Sequence, residues 1–434
     1  MRTPLPLPSS KQPFQFTISS SPSSPSSPTY TYPSALAIAT YAVRQLEDDP
    51  LFNAGHGAVF TRDGINELEA SVMVSRPSSS SNRAPRGHHY NKRGVGVTGL
   101  RRVRNPILLA RAILEHGDED LAGIKEQGFE EGEKDGEKED HLDVPSAQGH
   151  TLLHGPTAES LARQYGIALV DSPSYFYTQK RWDEHVRGLA RARRQHHGGE
   201  PATATASWSP DEYLPQGTTG AVALDSEGVL CVATSTGGMT NKLTGRIGDT
   251  PVVGAGFWAE EWEVTDEGKG ERIEGWREYF TNGLSGPAVE LSSSLRAFLG
   301  DCIPTPFLYT PLITPSAQQR QQQIKTRALA ISGTGNGDSF MRVSAARSVG
   351  AMARWAGVSA AEALFRVTGP GGELQQSAGD RWGRTGEGEG GMIGIGVEGG
   401  RAVVIHDHNS SGMFRAWIDD EGLARFKIWR DFDE

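Results

Sequence analysis

Apolar residues recur at helical spacing in SALAIATYAVRQLEDDP, where Leu36, Ile38, Ala39, Ala42, Val43 and Leu46 share one face behind a Ser34 cap and Pro50 marks the exit. The same spacing predicts helices in NPILLARAILEHG (Asn105 to Gly117) and TAESLARQYG (Thr157 to Gly166), so the first half reads as helix-rich. After the loop at His196 to Gly199 the pattern shortens. GAVALD, a Ser226-Glu227-Gly228 turn and VLCVATS predict a buried β-hairpin, and further strands are expected at Arg327 to Ser332, Met392 to Val397 and Arg401 to Asp407. One helix, DSFMRVSAARSVGAMARWAG, fits between them. Strands covered by helices imply a layered α/β arrangement. Residues 1 to about 33, rich in Ser and Pro, are expected to be disordered. A polar segment from about Glu260 to Thr326 reads as an insertion.

Composition changes this picture little. At 434 residues and 36% hydrophobic content the chain can bury a sizeable core as one large domain or two smaller ones. The net charge of -10 is local: Asp118 to Asp143 carries twelve acidic and three basic residues, inside an acidic insertion of about 118–148 that reads as a solvated surface. No apolar run suits a membrane span, and neither a nucleic-acid nor a membrane partner is expected. Two distant cysteines, Cys231 and Cys302, indicate no disulfide framework or metal site, which fits a reducing compartment, the cytoplasm.

Three segments place glycine and hydroxyls where a core would demand bulk. In QGTTGAVALD, Thr218 directly precedes a strand. A threonine hydroxyl becomes a useful nucleophile when a base takes its proton, and one such base is the residue's own freed α-amine, with a pKa of about 8. Freeing it requires breaking the Gly217–Thr218 bond, which a residue without Cβ before the threonine would ease. Alone, the pair also reads as a hydroxyl-capped turn. In TSTGGMTNKLTGRIGDTPVVGAG, Arg246 and Asp249 suit the α-carboxylate and α-amine of an amino acid, or form a surface ion pair. In ISGTGNGDSFMR, a glycine loop between strand and helix could hold a phosphate or the oxyanion of an acyl-transfer intermediate.

With PLFNAGHGAVFTRDGINELEASVM (Pro50 to Met73), RRVRNPILLAR (Arg101 to Arg111), VDSPSYFYTQKRWDEH (Val170 to His185) and HNSSGMFRAW (His408 to Trp417), these segments resemble, in order, the plant-type asparaginase and isoaspartyl peptidase family of N-terminal-nucleophile hydrolases. The resemblance runs from about Ser34 to Trp417. It implies a four-layer αββα sandwich and autocleavage into an α subunit, 34–217, and a β subunit, 218–434, paired as an (αβ)2 dimer. It casts Thr218 as nucleophile, Thr236 as the second threonine that hydrogen-bonds it, Asn53 as an organiser of the site near the nucleophile, Arg246 and Asp249 as the substrate grip, and Thr334 and Gly335 as the oxyanion and substrate-binding pair. The implied substrate is L-asparagine or a β-aspartyl dipeptide. No catalytic cofactor is implied, only a structural monovalent cation, sodium or potassium, on loop carbonyls.

Two departures stand out. The family's opening strand and H-G-G-A-G loop have no counterpart, PFQFTIS and a Ser/Pro tract standing there instead, which leaves an unprocessed, inactive homologue as an alternative. Val74, Ser75 and Arg76 also replace the family's D-G ahead of the expected cation loop. A glycosylasparaginase-like amidase is a further alternative, although its threonine usually follows an acidic residue rather than Gly217. A nucleotide-binding module using Gly333 to Gly337 would instead bind phosphate tightly without self-cleavage.

Overall fold

The computed structural model describes residues 32–76, 93–121, 146–198, 217–264 and 325–429. Nearly all of the Ser/Pro tract, the expected cation loop, and most of the acidic segment and of the 260–326 segment lie outside them.

Helix α1 (Ala35–Asp48) starts where expected. The Ser34 hydroxyl accepts from the Ala37 N–H at 3.2 Å, and Ala35, Ala39 and Val43 bury one stripe. A five-stranded sheet is made by β1 (Leu68–Val74), β2 (Arg93–Leu100), β3 (Leu152–His154), β4 (Thr219–Leu224) and β5 (Leu230–Thr236), in the order β3-β2-β1-β5-β4, with only the β2–β3 pair parallel. The second sheet is an antiparallel meander of β6 (Phe257–Val264), β7 (Lys325–Gly335), β8 (Gly390–Glu398) and β9 (Arg401–His408). A separate hairpin joins β10 (Arg415–Ile418) to β11 (Ala424–Lys427).

Two apolar clusters define how these elements pack. In one, α1, α2 (Pro106–Leu121) and α3 (Gly155–Gln164) meet Ala70, Val72 and Val74 of β1 and Cys231 and Ala233 of β5. In the other, Met73, Leu230 and Val232, the alternate positions of those same strands, meet β6 and β7. After helix α4 (Gln179–Gly198), that second cluster takes in α5 (Gly337–Arg342), α6 (Ala345–Trp355), α7 (Ala360–Thr368) and α8 (Glu373–Ala378). The β1 and β5 strands are therefore buried on both faces along their whole length, which is why, Glu69 apart, they read as apolar and small-residue runs. Each fully buried aliphatic chain there contributes roughly 1.5–3 kcal/mol.

Four expectations are corrected by this arrangement. The first half is not helix-rich alone, since β1, β2 and β3 fall within it. The helix expected across Asp338 to Gly357 is broken into α5 and α6 at Ser344, whose φ of 47° is left-handed. The break lets the first turn of α6 dock on a loop, Ala346 and Arg347 donating their N–H groups to the carbonyls of Ala255 and Gly254 at 3.1 and 2.7 Å. Strand β6 runs through Val264, so the polar segment does not begin at Glu260. Glu260 is fully buried, with Arg347 and Arg354 on its two oxygens at 3.3 and 3.1 Å, and that pairing allows so charged a sequence to sit in a sheet. Likewise α2 extends to Leu121, into the acidic segment, where Asp118 accepts from Arg93 at 2.5 Å.

Candidate active site

Strand register sets the site's first feature. Thr219 pairs with Ser235 at the start of β4, which leaves Thr218 one residue ahead of the ladder, while Thr236 ends β5. Thr219 is tied down by donating its hydroxyl to the Ser235 carbonyl at 3.0 Å. The Thr218 hydroxyl lies 3.5 Å from that of Thr250, a fully buried residue that sequence reasoning did not single out. The available signal was a hydroxyl residue directly after Asp249.

Strand β7 brings the glycine loop alongside. A Cβ on Gly217 would stand only 2.5 Å from the Thr334 Oγ1, so the expected cleavage bond and the expected oxyanion residue are neighbours. Gly335, with φ 152°, has no room for a side chain, since its Cβ would meet the Glu389 carbonyl at 2.4 Å and the Gly390 Cα at 2.5 Å. The Gly388 to Gly390 turn is held there by Asn409, which accepts from Gly390 N–H at 2.9 Å and donates to the Gly388 carbonyl at 2.8 Å. This gives HNSSGMFRAW a concrete role. Beneath the site the two sheets are joined by a 2.9 Å bond between the hydroxyls of Thr234 and Ser332.

Asn53 is buried in the loop after α1 and folds the opposite wall. Its amide donates to the Gly238 carbonyl at 2.8 Å, its side-chain oxygen accepts from Val59 N–H at 3.0 Å, and its carbonyl accepts from Gly237 N–H at 2.9 Å. Thr236 accepts from Gly238 N–H at 3.0 Å. Both residues thus shape the Gly237-Gly238 turn, and the hydroxyl contact observed at Thr218 is with Thr250.

Arg246 and Asp249 converge beside the start of α5. A Cβ on Gly337 would fall 2.5 Å from the Asp249 Oδ1 and 3.1 Å from the Arg246 Nη2. Arg246 pairs with the exposed Asp338 at 3.0 Å. Asp249 is buried and its Oδ2 has no hydrogen-bond partner. Burial first, then the nearby Glu69 and Asp338 carboxylates, push its pKa up to about 7 against the pull of its own backbone N–H and of Arg246. An orphaned carboxylate oxygen beside a guanidinium is the donor and acceptor set that an amino acid's ammonium and carboxylate require. The described residues hold no group of three or more His, Cys, Asp and Glu suited to a metal ion, and none of their helices is long and apolar enough to cross a membrane.

Thr218 beside Thr250, and Arg246 and Asp249 beside Gly337, are the arrangement against which known proteins are compared. The sequence profile of the asparaginase family matches residues 32–126 and 143–274, over half of the chain. An isoaspartyl peptidase of Salmonella typhimurium is 32% identical over 384 residues, covering 88% of this chain and 80% of the relative. One from Escherichia coli is 32% identical over 389 residues, with 88% and 78% covered. A plant-type L-asparaginase of Pyrococcus furiosus is 32% identical over 228 residues, 52% of this chain and 58% of its own. The chain belongs to the asparaginase family.

Proposed function

We propose that this protein is an autoprocessing amidohydrolase that acts on the side-chain amide of L-asparagine and on β-aspartyl dipeptides. The two sheets and their helices are read as the four-layer αββα sandwich of the N-terminal-nucleophile hydrolases. Cleavage between Gly217 and Thr218 divides the chain into α and β subunits, which stay together and pair as an (αβ)2 dimer in the cytoplasm. The new α-amine of Thr218 takes the proton of its own hydroxyl as the oxygen attacks the amide carbon. Collapse of the tetrahedral intermediate expels ammonia or an amino acid, which receives that proton, and leaves a β-aspartyl ester on Thr218. Water, deprotonated by the same amine, hydrolyses the ester and releases aspartate.

The remaining residues act on charge and position. Arg246 binds the substrate's α-carboxylate and Asp249 its ammonium. Thr334 and Gly335 face the developing oxyanion, where one donor supplies about 3 kcal/mol in comparable acyl transfers. Thr250, Thr236 and Asn53 hold the nucleophile and its turn. A structural sodium or potassium ion belongs to the same reading, and the loop expected to hold it lies outside the described residues.

The observation that carries this reading is the convergence at Gly217-Thr218 of two separate segments: Thr250, next to Asp249, 3.5 Å from the Thr218 hydroxyl, and Thr334 beside Gly217. On a denaturing gel the purified protein should give two fragments of similar size, and Edman sequencing of one should begin at Thr218. Thr218→Ala should leave one intact band and no turnover of either substrate. Full activity in a chain still continuous at Gly217–Thr218 would refute it.

A further inference from the structure

Beneath the turn that carries Arg246 and Asp249 lies a buried charged cluster with no assigned role. Glu69, fully buried on β1, accepts from the Gly248 N–H at 3.1 and 3.3 Å through its two oxygens and from the Thr98 hydroxyl at 3.1 Å. Lys242 is almost wholly buried, 3.9 Å from the Glu69 carboxylate, and donates to the Glu67 carbonyl at 3.0 Å. Glu67 accepts from Gly245 N–H at 2.8 Å and from Arg101 at 2.8 Å. The turn is thus held at Gly245 and Gly248, on either side of Arg246. A Cβ on Gly248 would meet the Glu69 Oε2 at 3.0 Å and the Arg246 Nη1 at 3.2 Å, so both groups press on the same glycine.

Stability is a poor explanation for such a cluster. Taking a carboxylate and an ammonium out of water costs several kcal/mol apiece, and a well-packed apolar pair of similar volume is often as stable or more so. A fixed charge on a rigid strand, however, places a backbone turn more closely than apolar packing does.

We propose that Glu69, with Lys242 as its counter-ion, is a positioning residue: it fixes the turn bearing Arg246 and Asp249 and so sets how tightly the substrate's ammonium and carboxylate are held. This rests on the assignment of those two residues as the amino-acid grip. Glu67 and Glu69 precede Gly217 while Lys242 to Asp249 follow it. The α subunit would therefore set the affinity of a recognition turn that belongs to the β subunit.

Two variants of the full chain test this. Glu69→Gln should raise KM for L-asparagine and for a β-aspartyl dipeptide about tenfold while kcat changes less than KM. The groups facing Asp249 are Glu69, Arg246 and Asp338, with Lys242 against Glu69. Removing the Glu69 charge should therefore also move the acid limb of kcat/KM to lower pH. The double variant Glu69→Leu with Lys242→Met removes both charges and the Gly248 acceptor. It leaves the Gly248 N–H without its acceptor, so its melting temperature should fall, while it should still fold and show the raised KM. A change in melting temperature with KM and the acid limb unmoved in Glu69→Gln would overturn the proposal.

Binding of L-aspartate, followed by calorimetry in a Thr218→Ala background, separates this idea from the catalytic reading. If the wild type neither cleaves nor turns over but L-aspartate binds, and Glu69→Gln weakens it about tenfold, the clamp stands and the catalytic reading falls. If the wild type is active and Glu69→Gln leaves L-aspartate affinity intact, the clamp falls alone. No binding of L-aspartate at all would overturn the clamp together with the grip on which it rests.

Discussion

Glu47 is the group whose replacement should have the most informative effect on stability. It closes α1 inside the protein, where its Oε1 accepts from the Ile107 N–H at the start of α2 at 3.0 Å and from the Ser235 hydroxyl at 2.7 Å, while its Oε2 has no hydrogen-bond partner. Burial raises its pKa from 4.5 to about 8, only partly offset by hydrogen bonds from Ser235, Ile107 and Asn105. The folded protein thus holds a proton that the unfolded chain releases above 4.5. The stability gained is fully present below that value, declines as pH rises, and is gone once pH passes about 8. At about 1.4 kcal/mol per pH unit the whole span corresponds to about 5 kcal/mol, with about 3 kcal/mol already lost at pH 7.

Glu47→Gln keeps the Oε1 acceptor and has no proton to lose. Its free amide donor, placed where Oε2 sits, should cost about 1–3 kcal/mol at any pH. The variant should accordingly be the less stable protein near pH 5 and the more stable near pH 9. The difference between the two should shift by about 4 kcal/mol over that range. Urea unfolding at a series of pH values, in the Thr218→Ala background where the chain stays continuous, reads that difference directly because other titrating groups cancel. A difference that stays constant within about 1 kcal/mol from pH 5 to 9 would refute the argument that Glu47 is buried with its proton.

Three further outcomes are expected. Asp249, with its pKa pushed up to about 7, must be a carboxylate to hold an ammonium, so kcat/KM should fall as pH drops through about 7, and Asp249→Asn should raise KM at least tenfold and flatten that limb in a pH-rate series. Gly217→Ala places a Cβ 2.5 Å from the Thr334 Oγ1, and should slow chain cleavage at least tenfold on a timed gel while an already cleaved sample keeps its turnover. Thr250→Val removes the hydroxyl 3.5 Å from that of Thr218, and should lower kcat by about 10- to 100-fold with KM little changed, measured by ammonia release from L-asparagine.

Much of the site was legible because its chemistry is compressed into short segments. Gly217-Thr218, the Arg246 to Asp249 turn and Thr334-Gly335 each stand out as glycine and hydroxyl residues beside apolar strands, and the fold brings Thr334 beside Gly217 and Thr250 beside Thr218. Thr250 escaped notice because a threonine before Pro251 reads as an ordinary turn residue. Glu69 and Lys242 escaped for a related reason: in NELEASVM and TNKLTG they look like solvent-facing charges, and nothing in either segment reveals that the other will meet it in the interior.

The same division runs through the fold. Local spacing determined α1, the β4–β5 hairpin and the cores of β7, β8 and β9, since periodic burial and caps are properties of adjacent residues. Only the tertiary structure decided that α5 and α6 part at Ser344, because the carbonyls of Gly254 and Ala255 are ready to receive the first turn of α6. It also decided that Glu260 enters a sheet, because Arg347 and Arg354 come from a distant helix to meet it. Propensity acts over a few residues, whereas neutralising a buried charge or satisfying a helix start depends on partners that only the folded chain brings into reach.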